Sequence, residues 1–146
     1  MFDDNVVGQL INNTNPEAIL DPKYSFKGVN DDVNSVCWLP GSETDLLAAT
    51  EDNLKICDTR SPWINNKLIT EKRIQEIKFD PFDDYRFACM TQNSIKIFDI
   101  RIIQKPQFQL RDEYLVNFEW SLQRPDLLAS FNRNSDLVKL WDINCH

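Results

Sequence analysis

Histidine appears once, as His146 at the end of the sequence, and glycine three times, as Gly8, Gly28 and Gly41. The first scarcity works against Ser-His-Asp and Cys-His catalysis, whose base would have to sit at a frayed terminus. The second removes phosphate-binding loops, which need glycines close together so that the backbone can approach the phosphate. The four cysteines, Cys37, Cys57, Cys89 and Cys145, lie far apart and form no Cys-X-X-Cys pair. Zinc sites need Cys or His at short paired spacings, so neither a metal nor a cofactor is expected. Cys37 and Cys89 stand among apolar residues, where a free thiol behaves as a small hydrophobe in a reducing compartment.

No apolar run approaches the roughly 20 residues of a membrane-spanning helix. The opening MFDDNVVGQLINN carries acids where a secretory signal carries bases. Lys and Arg total 16 against 23 acids, a net charge of −7, and the bases are scattered singly. Nucleic acids and anionic membranes are held by basic patches, so neither is expected as a direct partner. The expected setting is cytoplasmic, without membrane insertion. Asp3-Asp4, Asp31-Asp32 and Asp83-Asp84 are the visible acid pairs. They have neither the two carboxylates held across a pocket that glycosidic chemistry needs nor the spaced, Gly-containing series of a calcium loop. Asp at turns, bonding the local backbone, accounts for the second and third pairs. No catalytic residue is expected, and the protein reads as a non-enzyme.

What is present is repetition. Residues 33–60, 74–101 and 115–144 share three phrases. An alternating run ends in an aromatic: Val36-Cys37-Trp38, Ile77-Lys78-Phe79, Phe118-Glu119-Trp120. A short apolar run follows: Leu46-Leu47-Ala48-Ala49, Phe87-Ala88-Cys89-Met90, Leu127-Leu128-Ala129-Ser130. The third phrase is apolar-Lys-apolar-X-Asp: LKICD, IKIFD, VKLWD. In it Leu54/Ile56, Ile95/Ile97 and Val138/Leu140 take one face and Lys the other, which is the period of a strand. The closing Asp58, Asp99 and Asp142 are 41 and 43 residues apart, the period of a four-stranded propeller blade of about 40–45 residues. A β-sandwich also has short alternating strands, but it does not predict a shared Lys and Asp in each copy. Further strands are expected at residues 66–72, 107–111 and 24–26, supplying a fourth strand per blade.

These phrases resemble the WD-repeat family across residues 22–146, which implies an all-β fold. The expected architecture is a partial WD-repeat β-propeller of about three four-stranded blades, not closed on its own. Residues 1–21 form an unmatched leader. The copies depart from the WD pattern: no Gly-His pair precedes any of them, and the closing Trp is replaced by Cys57 and Phe98 in the first two. Only Ser130 stands near the expected Ser, so the buried His-Ser-Asp-Trp hydrogen-bond group of regular WD blades is expected to be missing. Propellers generally have four to eight blades. Three leave sheet edges open, which implies a piece of a longer chain or completion by a partner, and predicts self-association.

A more specific resemblance is to the Mio (Missing oocyte) family of WD proteins. It rests on Trp38-Leu39-Pro40, Asp80-Pro81-Phe82, the Asp-X-Arg endings at Asp58 to Arg60 and Asp99 to Arg101, and the trailing Lys105-Pro106. That resemblance implies a non-catalytic scaffold in the GATOR (in yeast, SEA) complex, relieving inhibition of the TOR kinase complex when amino acids suffice. Its implied partners are other protein subunits of that assembly, and its implied place is the lysosomal or vacuolar membrane surface. The alternative is a generic WD peptide reader or coat-type scaffold in another assembly.

Four residues are candidate partner contacts. Lys55, Lys96 and Lys139 recur across the copies and could hold an acidic peptide; equally, each stem could lie along a neighbouring sheet with its head in water. Trp63, in the loop SPWINN, either anchors a partner or covers a blade edge. Arg60 and Arg101 are placed to pair with Asp58 and Asp99 across a turn, a surface contact that contributes little to stability.

Overall fold

The computed structural model describes residues 17–23, 25, 32–61, 66–71 and 73–144. Among them the chain folds into eleven strands in three antiparallel sheets, with no helix. The first sheet is a meander of β1 (Val33–Trp38), β2 (Asp45–Thr50), β3 (Asn53–Asp58) and β4 (Asn66–Thr70). The second repeats it with β5 (Glu76–Asp80), β6 (Asp83–Met90), β7 (Ser94–Asp99) and β8 (Phe108–Arg111). The third has β9 (Leu115–Trp120), β10 (Leu127–Asn132) and β11 (Val138–Asp142). Each sheet contains one copy of the three phrases, and β4 and β8 occupy the predicted fourth-strand positions. Tyr24 and Phe26, where a strand was also expected, lie outside the described residues.

Strand register corrects one expected alignment. Phe79 pairs with Phe87, and Trp120 pairs with Leu128 rather than Leu127. The third apolar phrase is therefore Leu128-Ala129-Ser130-Phe131, one residue later than its composition suggests. The difference matters because a one-residue slip moves every side chain to the opposite face of a sheet. The doublet Leu127-Leu128 cannot reveal which leucine faces inward; the pairing with Trp120 does.

The core lies between sheets, in two layers. In the first joint, Leu47, Ala49 and Leu54 from the first sheet meet Ile77, Phe87, Cys89 and Phe98 from the second. The Phe87 ring packs between Phe79, with ring centroids 5.5 Å apart, and Phe98, at 5.6 Å. In the second joint, Ala88, Met90, Ile95 and Ile97 meet Leu115, Phe118, Trp120 and Leu128. The second sheet is thus covered on both faces, and five of the six residues of β7 are buried. Alternation along these strands separates one joint from the other rather than core from solvent.

Turn chemistry sets the strand ends. Ser42 donates its backbone N–H to the Leu39 carbonyl at 3.1 Å, closing a turn with Pro40 and Gly41 at its centre. Gly41 has φ +76°, the left-handed value that the third position of a type II turn requires and that glycine adopts without strain. Arg73 and Tyr114, 41 residues apart, both have positive φ just before the first strand of their sheet. The chain therefore crosses from one sheet to the next by the same backbone device twice.

Candidate interaction surface

Two of the three repeated lysines build joints between sheets. Lys96 on β7 donates to Glu71, just past β4, at 2.6 Å. Lys139 on β11 donates to Asp112, just past β8, at 2.7 Å. Each lysine thus reaches back to an acid that ends the preceding sheet. Asp112 also accepts from the Asn132 amide at 3.0 Å. Burial works to raise its pKa, but the bonds from Lys139 and Asn132 outweigh that and lower it. Lys55 occupies the same register position in the first sheet, opposite Ala48 as Lys96 is opposite Cys89 and Lys139 opposite Ser130.

Two further polar groups tie the second sheet to the third. Lys78 donates to the Phe118 carbonyl at 2.7 Å and to Glu119 at 2.8 Å, while its own carbonyl accepts the Trp120 indole N–H at 3.1 Å. Arg86 bonds the buried Asp80 at 2.7 Å and reaches Asp126 on the third sheet. Its guanidinium lies 5.8 Å from the centre of the Trp120 ring. Asp126 in turn accepts from the Asn144 amide. Asp80 and Arg86 are near neighbours in sequence; Asp126 joins them only because the sheets stack.

The expected turn pairs are present. Arg60 clamps Asp58 at 2.9 and 2.7 Å, and Arg101 clamps Asp99 at 3.0 and 2.7 Å. In both, the Arg backbone N–H also donates to the carboxylate. The third copy, with Asn144 in place of Arg, keeps that backbone bond to Asp142, and Arg124 supplies the guanidinium from another loop at 2.9 Å. Chiefly through the Arg60 side-chain bond, the Asp58 carboxyl is held down to about 2. Part of the regular WD hydrogen-bond group also survives: the Trp141 indole donates to Ser130 Oγ at 2.9 Å. The equivalent pair in the second sheet is Phe98 and Cys89, which are apolar partners and cannot make this bond.

These arrangements leave one rim with an aromatic patch. The β5–β6 turn and the β7–β8 loop leave the second sheet at the same end. Arg101 lies 4.0 Å from the centre of the Tyr85 ring, and Tyr85, Phe82 and Ile102 are about half exposed. An aromatic stacked under a guanidinium that is itself held by Asp99 is a rigid, amphipathic contact of the kind interfaces use. Sequence reading did not assemble it: Asp80-Pro81-Phe82 and Asp99 to Arg101 are visible as separate motifs, and only strand pairing brings Tyr85 beneath Arg101. Trp63 lies outside the described residues.

Little here is arranged for bond chemistry. Burial pushes the Cys37 thiol up to about 12 and raises Cys57 and Cys89 as well, keeping all three protonated. Among the described residues no three His, Cys, Asp or Glu side chains are grouped to hold a metal ion, and no helix is long and apolar enough to cross a membrane. A broad cleft of about 690 Å³ beside Asn93, Glu113, Tyr114 and Asn134 contains Asp112, whose Oδ1 is already bonded by Lys139 and Asn132.

Comparison with known proteins agrees with this geometry. A family model described as MIOS, WD40 repeat, matches residues 11–146. The chain is 33% identical over 129 residues to the GATOR2 complex protein MIOS-A of Xenopus laevis, covering 86% of this chain and 14% of that protein. It is 34% identical over 125 residues to the GATOR2 complex protein MIOS of Danio rerio, covering 84% of this chain and 14% of the relative. The GATOR2 complex protein MIOS of Dictyostelium discoideum is 30% identical over 114 residues, 75% of this chain and 10% of that protein. The chain spans about a seventh or less of the length of these curated relatives.

Proposed function

The chain belongs to the MIOS WD40-repeat family, and from that premise we propose that it is a non-catalytic scaffold portion of a GATOR2 subunit, supporting amino-acid-dependent activation of TOR kinase signalling. The observation that carries the reading is the family match, which runs through all three sheets. Its partners are other protein subunits, and its place is the cytoplasm with recruitment to the lysosomal or vacuolar surface. The proposed contact surface is the rim carrying Phe82, Tyr85, Arg101 and Ile102. Lys55 and Trp63 remain proposed partner contacts on their sequence context alone, whereas Lys96 and Lys139 hold in place the sheets that a partner would meet.

Affinity purification of the tagged full gene product tests this proposal. GATOR2 subunits should co-purify in stoichiometric amount, and amino-acid withdrawal and return should change TOR kinase output less in cells lacking the gene. Reproducible absence of those subunits would sink the reading.

A further inference from the structure

We draw no further inference here: the strongest candidate, the polar cleft beside Tyr114 where the second and third sheets meet, sets Arg111 against Asp112 and Glu113, and nothing in the structure shows what covers it.

Discussion

Lys139 reaches from the third sheet to Asp112 of the second at 2.7 Å, just as Lys96 reaches from the second sheet to Glu71 at 2.6 Å. The lysines lie 43 residues apart and the acids 41, so a near-constant repeat has placed the same ion pair at successive joints. In the sequence the lysine stripe is conspicuous and its acids are not, because Glu71 and Asp112 fall outside the three shared phrases.

Removing Lys139 leaves Asp112 buried with one partner fewer. The Asp112 side chain is only 7% exposed, but Lys139 is 38% exposed, so solvent screening reduces the loss. Lys139→Met is expected to destabilise by about 1–2 kcal/mol. Urea denaturation checks it, and adding Asp112→Leu should recover part of the loss, since no unpaired carboxylate then remains.

Arg86 should matter more. It and Asp80 are both largely buried, at 15% and 1%, and Asp126 brings a second carboxylate from the next sheet. Arg86→Met strands charge in the interior and is expected to cost about 3–5 kcal/mol. Arg86→Lys should also be costly, because an ammonium cannot reproduce the planar fork that spans both carboxylates. A shift in unfolding free energy below about 1 kcal/mol for Arg86→Met would contradict the bridging role.

The Trp141–Ser130 bond makes a transferable test. Trp141→Phe should cost about 1 kcal/mol or slightly more by leaving the buried Ser130 hydroxyl without its donor. Installing the pair in the second sheet, as Phe98→Trp with Cys89→Ser, should lose less stability than the two single changes summed. A coupling of about 0.5–1.5 kcal/mol in a double-mutant cycle is the expected result.

Acid should weaken the paired carboxylates at the turns and at the joint between the second and third sheets. The Arg60 side-chain bond holds Asp58 near 2, the Arg101 bond lowers Asp99, and Lys139 with Asn132 lowers Asp112 against the effect of burial. A carboxylate depressed on folding stabilises above its unfolded pKa of about 4 and loses that contribution as pH falls toward its folded value. Melting temperature should therefore fall between about pH 4 and pH 2. The slope there should be shallower in Asp58→Asn/Asp99→Asn/Asp112→Asn than in the native chain.

If the rim is a partner surface, Tyr85→Ala with Phe82→Ala should reduce recovery of the proposed GATOR2 subunits several-fold. Unfolding should shift little, because both side chains are about half exposed and the Arg101–Asp99 pair is left in place. Quantitative co-purification beside a denaturation curve separates loss of contact from loss of fold.

Much of this protein was legible in its residues because a repeat states its grammar more than once. IKIFD and VKLWD share their alternation and closing Asp, and the 41- and 43-residue spacings imply one sheet per copy. Asp58 with Arg60 and Asp99 with Arg101 were visible because their partners are two residues apart. The Asp142 clamp was not, since its guanidinium comes from Arg124, 18 residues away in another loop. The one-residue offset in the third copy was hidden too, because adjacent leucines look alike until a partner strand assigns them faces.

Strand periodicity, turn residues and the blade-length repeat are local properties, set by backbone alternation and short-range sterics, so they could be read from the order of residues. Joints are not local. That Lys96 meets Glu71, that Arg86 links Asp80 to Asp126, and that Tyr85 lies under Arg101 depends on which sheet stacks on which and in what register. Those contacts arise only when apolar faces such as Leu54 and Phe87, or Ile97 and Trp120, are brought together, and burial of those faces is what positions the charges around them.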